Sequence, residues 1–164
     1  MVSTALYPGS FDPPTLGHLD LLERAARLFG SVTVAVGENA EKAPFLQVED
    51  RVAVLRECTG GWPGVEVVSF RGLLVDFARE RGCTTVVRGL RAVSDFEYEA
   101  RVAMANRRLA PEVETVFLFT RDEFSFLASS VVREVARLGG DYRGFVPEPV
   151  ARLLANRGYP APRA

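Results

Sequence analysis

Residues 2–29, VSTALYPGSFDPPTLGHLDLLERAARLF, join a short apolar run to an amphipathic one through a loop rich in glycine and proline. Val2 to Tyr7 reads as a buried strand. From His18 to Phe29 the apolar residues return every three or four positions, as on one face of a helix. The change of period across a dozen residues marks a strand that feeds directly into a helix, the opening of a parallel α/β unit.

The same alternation continues outward. Val32 to Val36, Val65 to Phe70, Thr84 to Val87 and Thr115 to Phe119 are further Val-rich runs of strand length. Val48 to Cys58, Leu73 to Arg81 and Asp95 to Leu109 carry helical spacing between them, and Ser129 to Leu138 and Glu148 to Asn156 follow the fifth strand. Gly139-Gly140 reads as a helix stop. The pattern predicts an α/β fold, a Rossmann-like doubly wound five-stranded parallel sheet with helices on both faces. Residues 1–158 are expected to form one domain, with Tyr159 to Ala164 a frayed, Pro-rich tail. Ligands of such sheets bind beyond the carboxyl ends of the strands, at the switch in strand order.

A chain of 164 residues that is 48% hydrophobic can bury a core without disulfides or a structural metal. Twenty Lys and Arg against 21 Asp and Glu give a net charge of -1, which supplies no general attraction to nucleic acid or an anionic membrane. Cys58 and Cys83 are too few and too far apart for a disulfide framework or a CxxC redox motif, so a reducing cytoplasm is expected. The sequence shows neither a leader pattern at its start nor a run of the ~20 apolar residues that span a bilayer.

The chemistry is expected in the loops that follow strands. Gly9 and Gly17 let backbone approach a ligand, Pro13-Pro14 stiffens the first loop, and Gly17-His18 sets an imidazole at a helix amino terminus, where anions are favoured. His18 is the only histidine, so triads and paired-histidine metal sites have no second imidazole. The ordinary alternative is a histidine that only caps its helix. After the fourth strand, Arg88 and Arg91 sit in RGLRAVSDFEYE, a segment read as a glycine-relieved loop, and guanidinium forks suit phosphate oxygens. Asp95, Glu99, Val102 and Asn106 share one helical face. Here the alternative is a solvated face with ion pairs. A third segment, FSFLASSVVRE from Phe124 to Glu134, brings hydroxyls and free amides to another helix start, or supplies only a serine cap.

Thr15-Leu16-Gly17-His18, preceded by Gly9-Ser10-Phe11-Asp12-Pro13, resembles the [TH]-x-G-H signature of the nucleotidyltransferase superfamily. RGLR followed by SDFEYE looks like the narrower group of bacterial phosphopantetheine adenylyltransferases, and the resemblance runs from Tyr7 to about Pro147. The third segment matches the superfamily's I-S-S-[ST]-x-x-[RK] element except at Leu127 and Ala128.

That resemblance implies transfer of the AMP moiety of ATP to 4'-phosphopantetheine, giving dephospho-coenzyme A and pyrophosphate, with magnesium accompanying ATP. Catalysis would fall to His18, Lys42, Arg91 and Ser10. His18 would hydrogen-bond the alpha-phosphate, Lys42 and Arg88 would hold the incoming phosphate, and Ser10 would bridge both substrates. ATP would be bound by Gly9, Ser10, Phe11, Gly17, His18, Gly89, Leu90, Arg91, Glu99 and the run Phe124, Ser125, Phe126, Leu127, Ala128, Ser129 and Ser130. The acceptor would meet Ser10, Lys42, Leu74, Arg88 and Asn106. A homohexamer through the fourth helix and feedback by coenzyme A are further implications. The alternatives are a relative with a different acceptor and a non-catalytic nucleotide sensor.

Overall fold

A computed structural model describes residues 4–38 and 43–162. Five parallel strands, β1 (Thr4–Gly9), β2 (Ser31–Gly37), β3 (Val65–Phe70), β4 (Thr85–Leu90) and β5 (Glu114–Phe119), form one sheet in the order β3-β2-β1-β4-β5. Helices α1 (Leu16–Phe29), α2 (Val48–Cys58), α3 (Leu74–Glu80) and α4 (Val93–Leu109) make the crossovers, and α5 (Ser129–Arg137) and α6 (Glu148–Asn156) follow β5. Strand order reverses between β1 and β4, so the crevice at their carboxyl ends is the switch point.

Successive residues of a strand face opposite sides, and the core divides accordingly. Ala5, Tyr7, Val32, Val34, Val36 and Val87 pack with Leu21, Leu22 and Ala25 of α1 and Leu55 of α2. Leu6, Ala35 and Val86 pack on the other face with Val75 and Ala78 of α3. A third cluster joins Val54 of α2 to Val132 and Ala136 of α5 and Val150 and Leu154 of α6. It also corrects the frayed tail: Tyr159 and Ala161 pack on this cluster, the Tyr142 hydroxyl donates to the Tyr159 carbonyl, and the Tyr159 ring lies 4.7 Å from that of Phe45. An aromatic ring outweighs the disordering effect of neighbouring prolines once a groove receives it.

β1 and β4 each run further towards their carboxyl ends than hydropathy predicts. Strand β4 continues through Arg88, Gly89 and Leu90, so of the two arginines only Arg91 stands in the short turn before α4, where a longer loop was read. Gly89 pairs with Leu118 of β5, and a Cβ on it would lie 2.4 Å from Leu21 Cδ1. Its missing side chain serves the packing of α1 on the sheet. A Cβ on Gly9 would meet the Phe11 ring at 3.0 Å, so that glycine makes room for an aromatic side chain. Packing thus gives Gly9 a reason of its own beside the expected approach of a ligand.

Candidate active site

The loop from Ser10 to Thr15 is shaped by its own side chains. Phe11 has a φ of 48°, in the left-handed region, and its ring is buried against Gly9. That ring meets Tyr7 edge-on at 5.5 Å and His18 edge-on at 5.1 Å. Both Asp12 carboxylate oxygens accept from the backbone N–H groups of Phe45 and Leu46 at 2.8 Å, tying the loop to the segment before α2. This carboxylate is a structural brace.

His18 is held by Thr15, the N-cap of α1. The Thr15 hydroxyl accepts from the His18 backbone N–H at 3.3 Å, and the Thr15 backbone N–H donates to His18 Nδ1 at 3.0 Å. A ring nitrogen that accepts from a backbone N–H carries no proton, so the neutral imidazole is protonated at Nε2. Burial, with the Arg91 guanidinium adding its field, pulls the His18 pKa down to about 4. The result is a neutral donor with Nε2–H on the ring edge that Thr15 leaves free.

That edge lines a cavity of about 220 Å³ at the switch point. Gly9, Phe11, Gly17, His18, Arg88, Gly89, Arg91, Glu99 and Leu127, all expected in the site, line it together. Tyr7, Leu21 and Thr120 also line it and were not singled out from the sequence. Burial raises the pKa of the Tyr7 phenol, which stays neutral.

Arg88 Nε and Nη2 donate to the two oxygens of Glu99 at 2.6 and 2.7 Å, and Nη1 donates to the Pro8 carbonyl at 3.2 Å. Burial opposes the charge of Arg88, but the hydrogen bonds and field of Glu99 outweigh it and raise its pKa. Three of five guanidinium N–H groups are engaged, which leaves two for a ligand. Glu99, expected on the ATP side, is the carboxylate that orients this fork. Arg91 is held in turn by Asp95, its Nε 3.1 Å from Oδ2.

The remaining expected residues stand elsewhere. Ser10 is exposed, and its carbonyl accepts from Arg51 Nη1 at 2.6 Å. Ser129 Oγ donates to the Pro13 carbonyl at 2.8 Å, and Ser130 is exposed. Ala128 is the N-cap of α5 without a side-chain cap bond, which leaves first-turn amides of α5 without a cap acceptor. Leu74 packs partly buried on the second core cluster, Asn106 is half-buried on α4, and neither lines the His18 cavity. Phe124 Cβ would lie 3.5 Å from a Cβ on Gly17, Leu90 is buried, and Ser125 and Phe126 are exposed. Lys42 lies outside the described residues.

A second cavity of about 280 Å³ is lined by Asp12, Gly37, Phe45, Arg51, Arg133 and Arg137 among others. Arg51 is buried, with Nε on the Leu46 carbonyl and Nη1 on those of Ser10 and Gly37. Arg133 donates to the Asp12 carbonyl at 2.6 Å. The first loop thus has a cavity on each flank, with Gly9 and Phe11 in one lining and Asp12 in the other.

A neutral imidazole donor and two guanidinium groups around one cavity at the switch point suit a nucleoside polyphosphate. Residues 6–135 match the family model described as cytidylyltransferase-like, and the chain belongs to that class of nucleotidyltransferases. Within it, the chain is 51% identical to phosphopantetheine adenylyltransferase of Methylococcus capsulatus, over 94% of this chain and 95% of that one. It is 54% identical to the phosphopantetheine adenylyltransferase of Prochlorococcus marinus, over 93% and 98% of the two chains. The chain belongs to the phosphopantetheine adenylyltransferase family. The crystal structure of a protein assigned as a nicotinate-nucleotide adenylyltransferase from Vibrio parahaemolyticus superposes with a TM-score of 0.73 at 17% identity, covering 97% of this chain and 95% of that one, a likeness of fold.

Proposed function

We propose that the chain transfers the adenylyl group of ATP to 4'-phosphopantetheine, releasing pyrophosphate and forming dephospho-coenzyme A. The observation that carries this reading is the neutral His18, with Nε2–H on its free edge, beside Arg88 and Arg91 in one cavity. The acceptor phosphate is anionic near neutral pH, so no strong base is needed to make the nucleophile. One acceptor oxygen forms a bond to the alpha-phosphorus as the bridging bond to the beta-phosphate breaks, and that electron pair leaves with pyrophosphate. His18 Nε2–H donates to the alpha-phosphate as charge grows there, Arg88 offers its two free N–H groups to the acceptor phosphate, and Arg91 with the amides of α5 holds the departing phosphates. In this reading Lys42 belongs to the acceptor side and Ser10 bridges both substrates, with Leu74 and Asn106 towards the pantetheine arm.

Magnesium enters as part of the substrate Mg-ATP. Among the described residues no group of three or more His, Cys, Asp or Glu stands ready to hold a metal, and Asp12 is committed to backbone amides. The reading also takes residues 1–158 as the catalytic domain, the cytoplasm as its location, coenzyme A as a feedback ligand, and a homohexamer as the assembly. Two facts bear on these: no helix among the described residues is long and apolar enough to cross a membrane, and α4 buries none of its residues. The test is pyrophosphate release from Mg-ATP with a panel of acceptors. Turnover with 4'-phosphopantetheine and none with nicotinate mononucleotide or phosphocholine is expected; the reverse preference sinks the assignment.

A further inference from the structure

Two walls of the His18 cavity come from parts of the chain far apart in sequence. Gly17, His18 and Leu21 stand on α1, whereas Thr120 and Leu127 stand on the connection from β5 to α5. The walls approach closely at one point, where a Cβ on Gly17 would lie 3.5 Å from Phe124 Cβ and 3.7 Å from the Thr120 methyl. Side chains must hold them at that separation, because among the described residues no backbone hydrogen bond joins α1 to residues 119–127.

Burial does little for the connection. Arg121, Asp122, Glu123, Ser125 and Phe126 are exposed. The single turn Asp122–Phe124 is closed by local bonds, Phe124 N–H to the Arg121 carbonyl and Ser125 N–H to that of Asp122. Anchors lie at its ends. Before it the Thr120 N–H donates to the Leu90 carbonyl at 2.8 Å, and after it Leu127 is buried and the Phe126 ring meets Phe145 edge-on at 5.7 Å.

The polar ties from α1 converge on Asp20. Its side chain is 4% exposed and has a guanidinium at each oxygen: Arg24 Nη1 donates to Oδ2 at 3.3 Å, and Arg121 Nε stands 2.9 Å from Oδ1. Arg24 Nη1 also donates to the Phe119 carbonyl at 2.6 Å. One carboxylate thus grips the connection on both sides of Thr120, through Arg24 at Phe119 and through Arg121 directly. Water has little access to replace a cation lost from a buried carboxylate, so this pair holds its geometry more firmly than a surface ion pair. Neither Asp20 nor Arg121 lines the cavity.

We propose that Asp20 and Arg121 are positioning residues: their ion pair fixes the spacing of the two cavity walls and so sets the affinity for the nucleotide without touching it. This rests on ATP as substrate, because the α5 amides at the end of the connection are the groups assigned to its departing phosphates. Arg88 with Glu99, on the acceptor side, stands on β4 and α4 and takes no part in the tie. The seat of His18 is independent of it too, since Thr15 and Phe11 make that seat. The clamp therefore acts on the binding of ATP and leaves the transition-state donor in place.

The experiment compares the native chain with R121A, R121K, D20N and the D20N/R121A double variant. Pyrophosphate release is measured with Mg-ATP varied at saturating 4'-phosphopantetheine and the reverse, and Mg-ATP binding by calorimetry. R121A is expected to raise the KM and Kd for ATP about fivefold, with kcat and the KM for 4'-phosphopantetheine within about twofold of native. R121K keeps a cation within reach of Oδ1 and should hold the KM for ATP within about twofold of native. D20N should raise that KM at least as far as R121A does, and adding R121A to it should change it by less than about twofold, as for two residues of one interaction. The side chain of Arg121 is 52% exposed, so R121A melts close to the native chain and its weakened binding is not misfolding.

An unchanged affinity for ATP in R121A overturns the proposal. Equal rises in the KM of both substrates do so as well, since they would show a general loosening of the fold. So do effects of D20N and R121A that multiply, or an R121K no better than R121A, either of which would leave the ion pair without a role. R121A and R121K decide the matter where D20N does not fold. If the native chain releases no pyrophosphate with 4'-phosphopantetheine, the function assigned above fails. Calorimetry still decides on the clamp, which is refuted by equal Mg-ATP affinity in the native chain and R121A, or by a native chain that binds no Mg-ATP.

Discussion

Helices α1 and α4 begin beyond the two strands that flank the switch point, and each carries part of the site, yet they are held in opposite ways. The 14 residues of α1 include five buried ones, Gly17, Asp20, Leu21, Leu22 and Ala25, while none of the 17 residues of α4 is buried. His18 is fixed by neighbours close in sequence, Thr15 and Phe11. The cations of the other side take their orientation from carboxylates on α4, Glu99 for Arg88 and Asp95 for Arg91. The proposed donor to the reacting phosphate is thus set by folding of the single chain. The orientation of Arg88 and Arg91 depends on whatever steadies α4, whose Val93, Tyr98, Met104 and Leu109 are more than half exposed.

The largest expected effect breaks the rigid side. His18→Ala should lower kcat by roughly 100- to 1000-fold, as for loss of one preorganised donor, with the KM of either substrate within about threefold. Steady-state kinetics check this, and a parallel rise in both KM values would reduce the imidazole to a ground-state contact. On the same helix, Leu22→Ala should destabilise the chain by about 3 kcal/mol in urea titration, because Leu22 is 1% exposed in the core.

These contrasts also show what the sequence makes legible. Strand and helix periods located all eleven of the regular elements named in the fold, because burial on a sheet or one helix face repeats at a fixed interval. The seat of His18 was readable because its partners lie within seven residues. Thr120, Arg51 and the Arg88-Glu99 pair were not read as they stand. Thr120 comes to His18 only when the sheet forms, Arg51 reaches carbonyls at Ser10 and Gly37, and no period links Arg88 to a carboxylate eleven residues on. The packing role of the glycines was hidden for a related reason. A missing Cβ looks the same in sequence whether it admits a ligand or, as at Gly9 and Gly89, a neighbouring side chain.

An intermediate effect sharpens the α4 side. Glu99→Gln keeps the size of the side chain but removes the charge that orients Arg88, and it should raise the KM for 4'-phosphopantetheine about tenfold while that for ATP moves less than twofold. A larger change for ATP would return Glu99 to direct contact with the nucleotide.

The sole histidine allows a titration that compares the two sides by charge. Its folded pKa lies near 4, below the ordinary 6.5, so the unfolded chain takes up the proton first as pH falls. The stability linked to this group is complete above about 6.5, and it is lost as pH falls from there towards 4, at no more than about 1.4 kcal/mol per pH unit. The ring resonances of the ligand-free protein should titrate near pH 4. In the His18 neighbourhood Arg91→Ala should move that midpoint upward, since it removes one of the two named causes. A midpoint near 6.5 in the native chain would mean that the imidazole is not the neutral donor described.

The smallest effect on the single chain is expected from Met104→Glu on α4. Met104 is 63% exposed, so the change should alter the stability of the dilute monomer by less than about 0.5 kcal/mol. If α4 is steadied by a second copy, however, a carboxylate on that apolar face must be desolvated at the contact, and association should weaken. Sedimentation velocity of the native chain should then show an assembly that the variant dissociates. Activity should fall with dissociation and recover at high protein concentration, because Glu99 and Asp95 ride on the same helix. An assembly unaffected by the charge, or a fully active dissociated chain, would show that α4 needs no partner to hold its arginines and that the two helices differ in burial alone.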